Sequence, residues 1–311
     1  MQQSILQYHG LTKDPFSNGA KATFLNTGAL QQRAALLVEL CALTPRPIIV
    51  SGEEGAGKSS FLNAIAIALP SPYVSILWKA RDDSTSDELF THLAASLGLN
   101  AAQQTTEELA EAVRAQLVRM GAAGTIAVLL VDDADRLADE VFDQLLELGY
   151  TDEGWLRLVL TGHPDLTAHA VSRRAGSGPD WLPHVELPAL NVDEVADYLH
   201  LRMADAGATG DSPFTGELCR HFQTRARGNP GELNRIATEY LRAQFRRTPT
   251  PIGIEADRRW NLPLIGGVAA GVIILAGSLV ALMGSDSDAP APPELPPLEL
   301  PKREVPPPKP A

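Results

Sequence analysis

The chain is 311 residues long and carries 38 Asp and Glu against 26 Lys and Arg, a formal net charge of −12. That length holds one large domain or two modest ones with a real core, and the acid excess makes nucleic acid a poor first partner, because such a surface repels a phosphate backbone unless its basic residues gather on one face. Its two cysteines, Cys41 and Cys219, lie far apart in apolar or helical surroundings, which excludes a disulfide-built scaffold and fits a reducing compartment for the body of the protein.

No amino-terminal signal peptide is expected, since Met1 to Phe16 has neither a basic start nor a long apolar stretch. The first informative run is RPIIVSG, an apolar β-branched segment bounded by Pro47 and Gly52 that predicts a buried strand. Directly from it, Gly52, four residues, and then Gly57, Lys58 and Ser59 follow at the spacing of a phosphate-cradling loop. Gly55 and Gly57 lack a Cβ, so the chain there can curl until several backbone N–H groups face one anion. Lys58 adds a mobile positive charge, and Ser59 offers a hydroxyl to Mg²⁺. Behind the loop, SSFLNAIAIAL has apolar residues at helical spacing, and a helix starting there would turn its unpaired N–H groups and positive dipole end toward phosphate. The whole stretch, Gly52, Glu53, Glu54, Gly55, Ala56, Gly57, Lys58, Ser59 and Ser60, is the expected nucleotide cradle.

Tyr73 to Trp78 reads as a second strand, followed by helices at about 86–97 and 106–120. Next comes TIAVLLVDDADRL, whose apolar run Ile126 to Val131 predicts a buried strand ending on two carboxylates. Alternating strands and helices build a parallel sheet with its ligand crevice at the carboxyl ends of the strands, so the loop and the acids can meet over one nucleotide. Asp132 would hold Mg²⁺, directly or through water, and Asp133 would orient or deprotonate the attacking water. The strand at 73–78, lying between loop and acids in the chain, points to the ATPase-like branch of such proteins, and with no guanine-reading motif in sight adenine is the expected base. A further strand, LRLVLTGHPDL, has Thr161, His163 and Asp165 at its exit. From Asn191 the pattern is helical, with a Pro-Gly signal in GNPGELNRIATEYLRAQF. The seven histidines show no metal-ligand spacing.

Leu262 to Met283 runs 22 residues without a charge, about 33 Å as a helix and so matched to a bilayer core. Arg246, Arg247, Arg258 and Arg259 precede it and Asp286 and Asp288 follow, which by the positive-inside rule leaves the body in the cytoplasm and carries the tail across the membrane. Within the span, Gly267 and Gly271 form a G-x-x-x-G pair, a weak signal for self-association. The last 28 residues hold 10 prolines, so the tail can form neither ladder nor core and favours extended polyproline II. Spacer and docking peptide are both open readings of it.

Taken in order, the opening YHGLTKDPFSN, the GEEGAGKSS loop, LLVDDADRL, LVLTGHPDL, ELPALNVDEVADYLHLRMADAG and GNPGELNRIATEYL follow one another as they do in the ExeA/GspA-type AAA+ ATPases, which this chain resembles from about Ile5 to Gln244. A similar module occurs in DamX-like division proteins. The resemblance implies an α/β P-loop fold of the AAA+ type with a helical lid, bound ATP and Mg²⁺, ATP hydrolysis, a homo-oligomer with a cytoplasmic motor, an inner-membrane span and a periplasmic tail, and service to an envelope machine of the secretion, pilus or division kind. It maps the family's phosphate loop onto Gly52, Gly57, Lys58 and Ser59, and its metal aspartate onto Asp132. Domain bounds then read 1–45 for an N-terminal segment and helix packing on the ATPase core, 46–190 for the core, 191–247 for the lid, 248–261 for a basic linker, 262–283 for the span and 284–311 for the tail.

The sequence also departs from that pattern. Asp133 stands where the family usually has Glu, one methylene longer, which implies slower turnover. His163 takes the place of a Gln sensor and is the candidate to contact a γ-phosphate. Gly231 replaces the lid's sensor arginine, leaving Arg235, four residues on and on the same helix face, as the candidate substitute. Arg173 and Arg174 are candidates for an arginine finger, or form a basic loop. The chain ends without the peptidoglycan-binding or SPOR domain often attached in such proteins, so an envelope-machine protein or a cell-wall component would be met through the proline-rich tail. An ATPase is the first expectation, a nucleotide-switched scaffold with little hydrolysis the second, and a DNA-handling relative the third.

Overall fold

The structure, a computed structural model, describes residues 1–17, 27–150, 155–173 and 182–247. The chain divides into two units, Met1–Thr250 and Pro251–Ala311. The linker 248–261, the apolar span 262–283, the tail 284–311 and Arg174 lie outside the described residues. Among the described residues no helix is long and apolar enough to cross a membrane.

The first unit is built on five strands, β1 (Ile48–Ser51), β2 (Tyr73–Lys79), β3 (Ile126–Asp132), β4 (Leu156–Gly162) and β5 (His184–Glu186). All pair in parallel, in the order β2-β3-β4-β1-β5. The central strands β1, β3 and β4 are rich in apolar residues because helices cover both faces of the sheet, with Arg157 and Thr161 as buried polar positions on β4. Successive side chains alternate between two cores: Ala127, Leu129 and Val131 of β3 join Leu158 and Leu160 of β4 on one side. Val128 and Leu130 join Ile48, Val50 and Val159 on the other.

The first of these faces is covered by α4 (Ser86–Ser96), α5 (Thr106–Ala122), α6 (Asp139–Gly149) and α7 (Leu166–Ser172), through residues such as Leu93, Val113, Phe142 and Leu166. The second is covered by α2 (Gly28–Leu43) and α3 (Lys58–Ala68), through Leu37, Phe61 and Ile65. At the sheet edge β2 alternates buried and exposed residues, as a half-covered strand must. The segment 73–78 is thus the edge strand, and β4 is what separates the loop strand from the acid strand.

Three further helices form the lid: α8 (Val192–Asp205), α9 (Gly216–Ala226) and α10 (Pro230–Arg247). Asn191 opens it with a capping box, its side chain accepting from the Glu194 amide while Glu194 reaches back to the Asn191 amide. Leu199, Met203, Phe222, Leu233 and Ile236 fill a core of its own. Within the N-terminal segment 1–45, α2 packs on the sheet core through Leu30, Leu37 and Cys41, while Leu11 and Phe16 enter the lid core, and Thr12 donates from its amide and hydroxyl to the Ala206 carbonyl at 2.8 and 2.9 Å. A short helix α1 (Gln3–Tyr8) lies against α10. Apolar Leu11 and Phe16 find more open apolar surface on three short helices than on a sheet face already covered by α2.

Cys41 and Cys219 are both free and buried. Burial pushes the Cys41 thiol up to about 11, against a smaller opposing pull from Arg157, so it acts as a small core hydrophobe.

Candidate nucleotide site

β1 ends at Ser51, and the chain turns through Gly55 (φ 79°) and Gly57 (φ 92°) before α3 begins at Lys58. Those left-handed angles are open to glycine and strained for other residues, which is why the spacing of the glycines was so legible. Lys58 folds back over the loop, its Nζ donating to the Gly52 carbonyl at 2.6 Å and the Glu53 carbonyl at 3.1 Å. The ammonium is therefore held at the mouth of the cradle by neutral acceptors that a phosphate can outcompete.

Asp132 ends β3 and is 5% exposed. Its Oδ1 accepts from the Thr161 hydroxyl at 3.0 Å, and the same Thr161 oxygen accepts the Asp133 amide at 3.2 Å. One buried hydroxyl on β4 thus fixes the carboxylate of one acid and the backbone of the next. Asp133 sits in the left-handed region at φ 55°, a conformation that Asp tolerates better than most residues, and this turn swings it into the cleft while Asp132 stays behind. Lys79, paired in register with Asp132 at the end of β2, places its Nζ 3.3 Å from Asp132 and 3.1 Å from Asp133. Partial burial opposes the charge on Lys79, but the hydrogen bond to Asp133 and the two carboxylate charges outweigh it and raise its pKa.

A cleft of about 690 Å³ joins these parts, within the range of small-molecule sites. It is lined by Glu54, Gly55, Ala56, Gly57, Lys58, Ser59, Ser60 and Asp133 from the loop and the strand end, and by Leu187, Leu190, Tyr198 and Arg202 from the segment after β5 and from α8. Of the other expected residues, Gly52 lies under Lys58. Glu53 faces away, its carboxylate 3.3 Å from His163 Nε2. His163, whose Nδ1 is also 3.3 Å from Asp165, is thus beside the loop but outside the cleft lining. Arg173 is held by Asp139 and Asp143 of α6.

Arg235 requires correction as a cradle residue. Its guanidinium is bound by Glu232 and Glu239, three residues before and four after it on α10, at 2.9 and 2.7 Å, and it lines a separate surface hollow. Sharing a helix face with Gly231 was not enough, because two carboxylates at helical neighbour spacing capture it first.

What stands at the sensor position is a contact between backbones. Asn229 caps α10, its Oδ1 accepting from the amides of Gly231 and Glu232, while its Nδ2 donates to the Glu54 carbonyl at 2.8 Å. The Gly231 amide also donates to the Gly55 carbonyl at 3.0 Å. A Cβ at Gly231 would lie 2.9 Å from Gly55 Cα, and one at Gly55 would lie 3.1 Å from Gly231 Cα. Glycine at 231 therefore lets the lid's first turn rest on the loop tip, where any side chain would hold it off. Gly231→Ala is expected to break this contact and lower the nucleotide-free melting temperature by about 2–4 °C, for a loss of about 1 kcal/mol; thermal unfolding checks it.

Residues that sequence reasoning missed are Lys79, Tyr198 and Arg202, and Thr161 was noted at its strand exit without a role. A lysine ending a strand that pairs with the acid strand was the available signal for Lys79. The other three needed the packing.

Residues 42–168 match the protein family described as AAA domain. A curated relative, General secretion pathway protein A of Aeromonas hydrophila, is 23% identical over 296 residues, 87% of this chain and 53% of that protein, so the chain spans about half the length of that relative. Two solved structures share the fold: a Walker-type ATPase of Pyrococcus abyssi, at TM-score 0.55 and 18% identity over 75% of this chain and 73% of that one, and the Aeropyrum pernix ORC1 protein in complex with DNA, at TM-score 0.54 and 18% identity over 70% and 61%. Residues 42–168 are therefore similar to the AAA domain family, the five-stranded parallel sheet and helical lid share the fold of these solved structures, and the chain is distantly similar to General secretion pathway protein A.

Proposed function

We propose that this chain binds ATP with Mg²⁺ and hydrolyses it, in an oligomer anchored in the inner membrane, to drive or regulate assembly of an envelope machine. One observation carries the ATPase part: a glycine loop with a lysine over its mouth and the strand-end acid Asp133, with Asp132 buried directly behind it, at a single cleft under a helical lid. The residues fit the metal. Ser59 lines the cleft and Asp132 lies behind Asp133 at the strand end; both offer hard oxygens of the kind Mg²⁺ takes, directly or through water, and the two acids already draw a cation, the Lys79 ammonium. When bound, Mg²⁺ would neutralise charge on the phosphate oxygens.

The chain's own residues do the rest. Backbone N–H groups of the loop and the first turn of α3 receive the phosphates. Lys58 exchanges the Gly52 and Glu53 carbonyls for a phosphate oxygen. Asp133, turned into the cleft and fixed through its amide by Thr161, orients a water and takes its proton as it attacks.

Similarity to General secretion pathway protein A over most of the chain supports the envelope role, and the apolar span 262–283 with its basic flank supports the anchor. The acid balance speaks against nucleic acid as the partner. A second reading, a nucleotide-switched scaffold with little hydrolysis, is favoured by Gly231 in place of an arginine and by Asp133 as the shorter acid. Phosphate release by the full chain in mild detergent decides between them. Steady multiple turnover with ATP and Mg²⁺, abolished by chelation, is the expected result; tight ATP binding with assembly but no turnover selects the scaffold.

A further inference from the structure

Arg202 of α8 is 7% exposed and lines the cleft. Guanidinium stays charged under all ordinary conditions and carries five donors. Here Nη2 donates to the Ser17 carbonyl at 3.1 Å, and the Tyr198 ring lies 6.0 Å away. Its Nε is buried with no hydrogen-bond partner, and no carboxylate is within ion-pair distance among the described residues. A buried charged donor left unmatched is costly to the fold, so its position in a ligand cleft asks for an acceptor.

The place of Arg202 along the cleft says which part of a nucleotide supplies it. The lid meets the loop tip through Asn229 and Gly231. One turn further along α10, Asn234 accepts from the Tyr198 hydroxyl at 2.8 Å, and one turn beyond Tyr198 on α8 comes Arg202, touching Ser17. Arg202 is thus two helix contacts removed from the loop tip, in a cleft whose lining also includes Leu187, Pro188 and Leu190, apolar surfaces that suit a flat heterocycle, with Leu187 beside the root of the loop through its amide hydrogen bond to the Ser51 carbonyl.

Resting on the reading that the cleft takes ATP, we propose that Arg202 reads the nucleoside, its Nε–H donating to a ring nitrogen of adenine. The Ser17 carbonyl beside it has a second lone pair for the neighbouring amino group. Donor and acceptor together match the amino and ring-nitrogen edge of that base.

The test is equilibrium titration of the full chain with ATP and, separately, with inorganic tripolyphosphate, which has the charges but no nucleoside. Arg202→Met is expected to weaken ATP by about tenfold or more while changing tripolyphosphate by less than about twofold. Arg202→Lys, which keeps the charge and α8 packing but loses the Nε–H, is expected to weaken ATP selectively by about fivefold; it carries the test if the methionine variant melts. Equal losses for both ligands, or unchanged ATP affinity in both variants, would overturn the assignment and leave Arg202 as a tie between α8 and Ser17. A folded wild type that binds neither ligand would overturn the ATP reading along with it.

Discussion

Asp133→Asn is expected to lower ATP hydrolysis by about 100-fold or more while leaving ATP affinity within about threefold, the range set by removing a positioned general base. The substitution isolates chemistry from folding. Asn tolerates the left-handed backbone at φ 55° as well as Asp does, and its amide keeps the bond to Thr161. What goes is the carboxylate that takes the proton and half of the acid pair facing Lys79. Turnover within about twofold of the wild type would assign water activation to another group. Asp133→Glu carries the complementary expectation: the added methylene extends the carboxylate further into the cleft, and the rate rises.

Lys58→Ala is expected to weaken ATP binding by about 30-fold or more and to reduce turnover by about 1000-fold, as loss of a charged donor aimed at transferring phosphate does. The variant also loses two bonds to the Gly52 and Glu53 carbonyls, so its melting temperature is to be measured beside its activity. Water can replace the lysine at the exposed Glu53 carbonyl, while the part-buried bond to Gly52 is lost, so the fold is expected to survive with a lowered melting temperature. Turnover equal to the wild type in a folded variant would remove the lysine from the chemistry.

The parts of this site that were legible in the sequence are those whose geometry is local. Gly55 and Gly57 take positive φ because the loop must curl, and that need shows as a spacing. The β3 run and its two terminal acids are likewise contiguous, and a strand buried on both faces has no polar residue to break its pattern. The lid's start was legible because the helical pattern begins at Asn191, where a local capping box opens α8.

Illegible parts depend on partners distant in the chain. Thr161 acquires its double role only when β4 lies beside β3. Lys79 looks like a solvated strand end until parallel register sets it opposite Asp132. Arg202 reads as an ordinary polar position on an amphipathic helix, yet is buried against Ser17, 185 residues away in sequence. Arg235 failed in the opposite direction, since helix periodicity gave the right face but not the competition from Glu232 and Glu239. The loss of the family's lid arginine reads in sequence as a defect. In the structure it is the condition for Gly231 to rest on Gly55.

The central claim is that one cleft holds an adenine nucleotide and its metal between the glycine loop, the acid pair and the lid. Calorimetric titration of the folded full chain with ATP and Mg²⁺ tests it most directly. The account predicts saturable binding at one site per chain, weakened by Lys58→Ala and by omission of Mg²⁺. Absence of any binding in a preparation whose cooperative melting shows it to be folded would contradict it.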